Sequence, residues 1–416
     1  MIKNNLKALK NSLGTNIRNA IFWLDITNNK ANGLVKLATA CIVIANLRQL
    51  ITLLTAENDL EEFFECFSTV SFTGMGLLKL ISLKSNERIW RHLLNQVSIL
   101  EDELLKDDTD STNVEYESDD EETLNISNYI ENYNKNYKFT STILFKLYLY
   151  TVVFFIITPF LEYYYMVLIL SKNIIELPHI LPGWAPLDHM SIFGYLVTIF
   201  CEIIASCYSL LIHVTFDTMF AGLMIFACGQ FILLRNYSER IGGSGKFCVL
   251  SKRRESRAHF RIIKCHRIHI TLLNFQISLN QILKQILAVY FILTSVALCT
   301  VALRLQSDNL QLMELISLLL YMASSVTQLF LYCRYGDAVM NEVIFRGPFG
   351  AAWWCLSPST RRKLVSLGMG MSRTRRFTAG IFHSPDLPSF VQVKRFTLRI
   401  TSETCFQCLQ TCRKNC

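Results

Sequence analysis

The chain has 416 residues, of which 51% are hydrophobic, and its mean hydropathy is +0.30. These values exceed those of ordinary soluble domains and predict a protein with several membrane-spanning helices. The formal net charge of +8 is concentrated beside apolar runs, which favours loops at the cytoplasmic face of a membrane over a nucleic-acid-binding surface.

The N-terminal segment, residues 1–33, carries five basic side chains and one acid. Leu6, Leu9, Leu13 and Ile17 recur at helical spacing, which predicts a basic amphipathic helix on the inner leaflet of the membrane. A solvated tail with chance periodicity is the alternative. The segment lacks an apolar core followed by a small-residue cleavage site, so it is not expected to be a signal peptide.

Six apolar runs are long enough to cross a bilayer, in which only a helix or a closed barrel satisfies the backbone. They lie at residues 34–54, 63–83, 141–170, 191–234, 272–303 and 310–333. The fourth is longer than a bilayer requires and is expected to project into the cytoplasm. Arg48 in the first run should face other helices or water. Gly74 and Gly76 in the second should let a neighbouring helix approach closely, and Pro159 should kink the third.

The polar segments between these runs predict the orientation of the chain. Residues 84–138 begin with basic side chains, and residues 235–267 are rich in Lys and Arg with only two acids. Because such loops stay in the cytoplasm, the N-terminus is placed inside, which excludes the ordinary arrangement of a G-protein-coupled receptor. The acidic run 107–122 is expected to be solvated and disordered, with a phosphorylation-rich regulatory loop as the alternative.

Short motifs follow one another in a definite order from Leu329 to Phe390. They are Tyr332-Cys333-Arg334-Tyr335-Gly336 at the end of the sixth run, Trp353-Trp354, the basic step Arg361-Arg362-Lys363-Leu364, and Thr378-Ala379-Gly380 followed by Phe382 and Phe390. In this order and spacing the chain resembles the C-terminal block of insect odorant receptors. It looks like a tuning subunit rather than the shared co-receptor, whose second cytoplasmic loop is much longer.

The resemblance implies an all-α, polytopic membrane protein: a seven-helix bundle with a cytoplasmic N-terminus. The expected organisation is a cytoplasmic amphipathic N-terminus at 1–33, transmembrane helices 1–6 with their loops at 34–334, a cytoplasmic anchor segment at 335–376, and a pore helix with a Cys-rich tail at 377–416. The seventh span is the open question, because Lys394, Arg395, Arg399 and Glu403 interrupt it. A divergent pore, a defective receptor and a mis-predicted final exon are the alternatives for this ending.

The resemblance further implies a ligand-gated, non-selective cation channel that forms a heterotetramer with an odorant co-receptor subunit. A small apolar odorant would bind in an apolar pocket in the outer half of the bundle. The candidate ligand-binding residues, chosen by depth, are Phe67, Val70, Ser71, Phe160, Tyr164, Phe193, Val197 and Tyr321. For each of them, ordinary core packing is the alternative.

Two further sets of residues follow from the resemblance. The candidate subunit-interface residues are Tyr332, Gly336, Trp353 and Trp354, and the candidate pore residues are Thr378, Ala379, Gly380 and Phe390. A position in the lipid headgroup belt is the alternative for the two tryptophans.

No catalytic residue, cofactor or metal site is predicted, since no nucleophile–base pair or paired carboxylates rise above chance; an enzyme is not expected. The expected partners are the co-receptor subunit, a small odorant and the lipid bilayer, without nucleic acid. The expected location is the plasma membrane of a sensory neuron dendrite, as a multi-pass protein. A gustatory-type chemoreceptor channel and a multi-span transporter are the alternatives; the chain shows neither the Thr-Tyr and Gln-Phe ending typical of the first nor the half-repeats of the second.

Overall fold

The fold is taken from a computed structural model. It describes residues 33–55, 60–113, 126–168, 177–183, 192–243, 252–304, 312–341, 346–372, 377–378, 385–393, 395 and 399. Within these ranges the regular structure is helical and contains no strand, which confirms the all-α prediction. The predicted N-terminal amphipathic helix, most of the acidic run, Ala379, Gly380 and the Cys-rich tail lie outside the described residues.

The described residues form nine α-helices. They are α1 (Gly33–Thr55), α2 (Leu60–Ser85), α3 (Glu87–Asn113), α4 (Ile126–Leu168), α5 (Ile192–Glu239), α6 (Lys252–Arg304), α7 (Leu312–Asn341), α8 (Arg346–Gly350) and α9 (Pro358–Met371). A 3-10 turn, Trp353–Cys355, joins α8 to α9. Within the described part of the chain, α1, α2 and α4 to α7 are the six helices long and apolar enough to cross a membrane, and they correspond to the six predicted runs.

Two of these helices begin well before the apolar runs from which they were predicted. α4 begins at Ile126 and α6 at Lys252, whereas their apolar runs begin at Ser141 and Leu272. Hydropathy marks only the part of a helix that lies in lipid, because a helix that continues outside the membrane can carry polar side chains on its wet face. The basic segment before the fifth run is therefore, from Lys252 onward, the first part of a membrane helix.

The amphipathic helix α3 lies in the polar segment from which no helix was predicted. It buries Trp90, Leu93 and Val97 against the bundle, and the Trp90 ring meets the Phe216 ring of α5 edge-on at 5.9 Å. A neighbouring contact is polar, since the Tyr133 hydroxyl of α4 donates a hydrogen bond to Glu101 at 2.6 Å. Tertiary packing of one apolar stripe, rather than overall hydrophobicity, stabilises this helix.

α5 is the central helix of the bundle. It packs against α1, α2, α4, α6, α7 and α8, and its Phe216, Phe220 and Phe226 side chains are fully buried. Large apolar side chains on the outside of the bundle are instead exposed, among them Ile192 and Phe200. An apolar outer surface around a buried core is what a bilayer solvates and water does not. Together with the lengths of the six helices, it makes the chain a multi-pass membrane protein.

Two glycines of α2 let neighbouring helices approach, as predicted. A Cβ atom at Gly76 would lie 2.8 Å from Ser209 Oγ of α5, and one at Gly74 would lie 3.3 Å from Asn46 Oδ1 of α1. Small residues at such crossings allow close backbone packing where lipid provides no hydrophobic force between helices.

The segment after α7 is attached to the ends of α5 and α6 by specific contacts. Glu255 of α6 accepts hydrogen bonds from the hydroxyls of Ser357 and Thr360, and from the Ser357 backbone N–H at 3.3 Å. Ser357 also caps the N-terminus of α9 by accepting from Thr360 N. A Cβ atom at Gly347 of α8 would overlap Ser238 Oγ and lie 2.5 Å from the Arg235 carbonyl oxygen of α5.

The Gly347 contact generates a stability prediction. We expect Gly347→Ala to lower the melting temperature of the detergent-solubilised chain by several degrees, because the added methyl group meets α5 backbone that cannot move freely. Fluorescence-detected thermal unfolding measures the change. Gly370→Ala in α9 is the control: a Cβ atom there has nothing within 4 Å, so stability should be unchanged or slightly raised. Equal melting temperatures for both variants would contradict the close contact.

Candidate ligand cavity

A small cavity lies inside the bundle, between five of the membrane helices. Its lining residues are Ser71, Phe72 and Met75 of α2, Tyr148 of α4, His213 of α5, Tyr290, Leu293, Thr294 and Ala297 of α6, and Tyr321, Ser324, Ser325 and Gln328 of α7. Its volume is about 40 Å³. One water needs about 10–15 Å³ of such space, so the cavity has room for roughly three.

Aromatic rings form much of the cavity wall. The Phe72 ring stacks on the His213 ring at 4.6 Å with an interplanar angle of 17°, and the Tyr148 ring meets His213 at 61°. The Tyr290 ring lies across the cavity on α6 and packs against Tyr332 at 5.1 Å. Closely spaced rings of this kind favour apolar or aromatic ligands, which stack on their faces or meet their edges.

A cluster of polar residues, the Asp217 cluster, lies beside the cavity and contributes three of its lining residues. It consists of Lys79, Tyr148, His213, Asp217, Gln328 and Tyr332. The Asp217 carboxylate of α5 accepts a hydrogen bond from each of four side chains. The donors are Lys79 Nζ at 2.6 Å, the Tyr148 hydroxyl at 2.6 Å, Gln328 Nε2 at 2.9 Å and the Tyr332 hydroxyl. Three other helices, α2, α4 and α7, therefore meet α5 at one carboxylate.

Lys79 is fully buried, and its ammonium group contacts several side chains. Besides Asp217, it lies 3.0 Å from His213 Nδ1 and within 5.4 Å of the centre of the Phe216 ring. His213 Nε2 lies 3.0 Å from the Phe72 carbonyl oxygen, which can only accept. Nε2 therefore carries the hydrogen and Nδ1 accepts from Lys79, so His213 is neutral in this arrangement.

The charges of this cluster balance within the protein. One ammonium group and one carboxylate are buried together, and the remaining members are neutral donors and acceptors. Burial of either charge alone inside a membrane would carry a large desolvation penalty. Because Tyr148, His213 and Gln328 belong to both the cluster and the cavity lining, the cavity faces a polar wall without a net charge.

Of the eight residues proposed from the sequence as ligand-binding, the structure brings Ser71 and Tyr321 to this cavity. The other six do not line it. Phe160 packs at the edge of the core, Phe67 stacks on Phe63 at 6.3 Å, and Val70 is half-buried on α2.

The remaining three candidates lie on the outer surface of the bundle. Tyr164, Phe193 and Val197 are exposed by 62%, 76% and 40% respectively. Depth was estimated from the sequence, but the side of the helix that faces inward depends on tertiary packing. Their role in ligand binding stays a prediction without support from this cavity.

Sequence reasoning missed Tyr148, Tyr290 and the Lys79–Asp217 pair. The signal that was present is a lysine and an aspartate inside two apolar runs, since ionisable residues in membrane spans usually face the interior and pair with one another. His213 and Asp217 are scarce polar residues within the fourth run. Their shared partner on α2 cannot be identified from the sequence without the helix arrangement.

A second ion pair, partly buried, lies near the N-terminal end of α5. Arg48 of α1 lies 3.0 Å from Glu202 of α5, which confirms the prediction that Arg48 faces other helices rather than lipid. Glu202 also accepts hydrogen bonds from the backbone N–H groups of Ile180 and Leu181, at 3.0 and 3.3 Å. The segment 177–183 is thereby held against α1 and α5.

The residues proposed for the subunit interface occupy different environments. Tyr332 is buried in the Asp217 cluster, and a Cβ atom at Gly336 would overlap the Pro385 carbonyl oxygen. Both make contacts within the chain. Trp353 and Trp354 are half-exposed, at 48% and 51%, and the guanidinium of Arg361 lies 5.7 Å from the centre of the Trp353 ring.

The described pore candidates lie against α6 and α7. The Thr378 backbone N–H donates to Asn280 Oδ1 at 2.9 Å, and the Phe390 ring meets the Phe330 ring of α7 at 5.6 Å. Asp386 accepts a hydrogen bond from Ser389 N at 2.9 Å and begins a helical turn that runs to residue 393. Asp386 and the neighbouring Pro385 and Pro388 therefore lie at the start of a helix.

The Lys79–Asp217 pair generates a test by substitution of one or both partners. We expect Lys79→Met to lower the stability of the solubilised chain by about 3–5 kcal/mol, since the Asp217 carboxylate would stay buried without its cation. The double variant Lys79→Met/Asp217→Asn should recover part of this loss. Thermal unfolding of the wild-type chain, Lys79→Met, Asp217→Asn and the double variant measures the coupling between the two sites.

The exposed Glu87–Arg91 pair of α3 provides the matched control. Its side chains are 34% and 48% exposed, so Arg91→Met should change stability little. A double variant at the buried pair that is less stable than Lys79→Met would contradict the buried-pair argument.

Comparison with known proteins finds sequences and a fold similar to this chain. The family model for the 7tm odorant receptor matches residues 59–398. Odorant receptor 13a of Drosophila melanogaster is 26% identical over 129 residues, and putative odorant receptor 98b of the same species is 22% identical over 227 residues. These alignments cover 30% and 54% of the chain, and 29% and 56% of the relatives' own lengths.

The fold is similar to that of the insect olfactory receptor OR5 from Machilis hrabei. The TM-score is 0.68 at 15% sequence identity, over 89% of this chain and 88% of that one. The structure of the same receptor in complex with eugenol gives a TM-score of 0.69 at 15% identity, over 96% and 97% of the two chains. These structures support the helical arrangement, and the family model covers most of the sequence. The chain therefore belongs to the 7tm odorant receptor family.

Proposed function

We propose that this odorant receptor is the tuning subunit of a ligand-gated, non-selective cation channel, and that its internal cavity binds a small odorant. The observation that carries the proposal is the aromatic-lined cavity to which five membrane helices contribute. Its buried lining provides the apolar area and the few polar groups by which proteins hold small molecules. Membership in a family of receptors agrees with the expectation that the chain is not an enzyme.

Ligand binding in this proposal requires the cavity walls to move. A volume of about 40 Å³ is well below the roughly 300–1,000 Å³ of typical ligand pockets, so an odorant must displace lining side chains. α7 contributes Tyr321, Ser324, Ser325 and Gln328 to the wall. A ligand that fits a wider arrangement of α7 stabilises that arrangement, and its differential affinity sets the size of the shift.

α7 also provides the physical route from the cavity towards the proposed pore. One helical turn beyond Gln328 lies Tyr332, which donates to Asp217, and a turn later Gly336 contacts the Pro385 carbonyl. The Phe390 ring packs on Phe330 in the same region. Displacement of α7 by a ligand would thus act on the segment that we propose leads into the pore helix.

The proposed assembly is a heterotetramer with a co-receptor in the plasma membrane of a sensory neuron dendrite. The part of the surface that supports it is the anchor segment, where Trp353 and Trp354 are half-exposed on a short turn. Arg361 holds this turn by donating hydrogen bonds to the Leu356 and Trp354 carbonyl oxygens at 2.8 Å each. Preorganised, exposed tryptophans are frequent anchors of protein interfaces.

The location of the binding site generates a prediction about ligand ranking. Co-expressed with a co-receptor, the Tyr321→Ala variant is expected to change the order of responses across an odorant panel, because it enlarges the internal cavity. Phe193→Ala tests the alternative site that was proposed from the sequence, and its 76% exposure predicts an unchanged order. Calcium influx or whole-cell current measures both. If Phe193→Ala changed the order of odorant responses and Tyr321→Ala did not, the binding site would lie on the outer surface instead.

The exposed tryptophan pair generates a prediction about assembly. We expect Trp353→Ser/Trp354→Ser to reduce the tetramer-sized species of purified or cross-linked receptor several-fold while the monomer remains folded, because both rings are already solvent-accessible in the single chain. Ile99→Ser in α3 removes another exposed apolar side chain, 56% exposed, and should leave assembly intact. If the double variant formed as much of the tetramer-sized species as the wild type, these residues would not belong to the interface.

A further inference from the structure

The Ser71 side chain of α2 is buried in the cavity wall without a hydrogen-bond partner. The residue is 7% exposed, and its Oγ atom is the one buried side-chain polar atom of the described cavity lining that lacks a partner. Hydroxyls in helices usually bond to the carbonyl one turn earlier. Two neighbours do so: Thr69 Oγ1 donates to the Cys66 carbonyl at 3.0 Å and Thr73 Oγ1 to the Thr69 carbonyl at 3.0 Å.

Several other polar groups at the cavity have partners within the protein. The Ser324 hydroxyl donates to the Tyr321 carbonyl at 2.9 Å, and the Tyr290 hydroxyl donates to the Ser325 carbonyl at 3.4 Å. Tyr148 and Gln328 both donate to Asp217. A ligand that approached these groups would exchange one hydrogen bond for another, whereas a bond to Ser71 would be a net addition.

The charges around the cavity argue against a charged ligand. Lys79 and Asp217 neutralise each other at 2.6 Å, and His213 is neutral in the hydrogen-bond arrangement described above. An ion in this cavity would lose its hydration without finding a free countercharge. The rings of Phe72, Tyr148, Tyr290 and Tyr321 instead offer stacking and edge contacts to a planar molecule.

We infer that Ser71 is a specificity-determining residue of this receptor: its hydroxyl forms a hydrogen bond with the oxygen of a neutral, oxygen-bearing aromatic ligand. The inference rests on the proposed function and deepens it by assigning the ligand's chemical class. The ligand places its ring among the cavity aromatics and its hydroxyl or carbonyl oxygen towards α2. Hydrocarbons of the same shape bind to the same place without this bond.

Two isosteric compounds test the inference on the purified full chain. Benzyl alcohol and ethylbenzene differ by one hydroxyl in place of a methyl group, and binding of each is measured by ligand-dependent thermal stabilisation. Corrected for partitioning into detergent, benzyl alcohol should bind the wild-type chain more tightly than ethylbenzene. Ser71→Ala should weaken benzyl alcohol binding about five- to tenfold, as expected for loss of one hydrogen bond, and leave ethylbenzene binding unchanged.

Ser324→Ala is the matched control, since it removes a hydroxyl from the same cavity that is already bonded to a backbone carbonyl. It should leave the ratio of the two affinities unchanged. Ser71→Cys keeps the side-chain shape with a weaker donor and should give an intermediate ratio.

Several outcomes would overturn the inference. One is an affinity ratio that Ser71→Ala leaves at the wild-type value, and another is a wild-type chain that ethylbenzene stabilises as well as benzyl alcohol does. Failure of both compounds to stabilise the wild-type chain would also overturn it. Current responses to other odorants would then show that the proposed function stands, and their absence across a broad panel, with co-receptor present, would count against that function as well.

Discussion

The arrangement of the bundle depends on the hydrogen bonds that the carboxylate of Asp217 accepts. This carboxylate lies on the central helix α5 and accepts hydrogen bonds from α2, α4 and α7, through Lys79, Tyr148, Gln328 and Tyr332. A buried carboxylate inside a membrane has a large desolvation penalty. The arrangement is therefore stable only when all of its hydrogen-bond partners are in place. Because these partners lie on three separate helices, one charged side chain constrains how four helices pack.

Polar contacts recur along α5 at three levels. Glu202 pairs with Arg48 and holds the segment 177–183. Asp217 joins helices in the middle of the bundle, and α8 packs against Ser238 through Gly347. Apolar packing between these levels has little directional preference, and lipid competes with it on equal terms. The hydrogen-bonded positions therefore define the rotation and register of the helices, while the phenylalanines of α5 fill the space between them.

The cavity lies against this polar junction and shares three residues with it. Gln328 illustrates the consequence, since its side chain both lines the cavity and donates to Asp217. A change of the cavity wall at this residue alters the hydrogen bonds of α7, and α7 continues to Tyr332 and Gly336. Ligand recognition and helix arrangement thus depend on the same few side chains, which is the physical requirement for one to influence the other.

The sequence by itself determined the all-helical membrane architecture, because long apolar runs allow few other structures in lipid. It also identified Gly74 and Gly76 as sites of close helix approach, the orientation of Arg48 away from lipid, and the family through the motifs near the C-terminus. It did not determine helix α3 or the early starts of α4 and α6, since these parts are stabilised outside the lipid by packing on one face.

Only the tertiary structure decided which residues meet at the cavity. Depth along a helix can be estimated from a sequence, but the face that turns inward depends on contacts with residues far away in the chain. Ser71 and Tyr321 therefore line the cavity while Phe193 and Tyr164, chosen by the same rule, face outward. The pairing of Lys79 with Asp217, 138 positions apart, has the same origin: only folding brings two charges from separate apolar runs within hydrogen-bond distance.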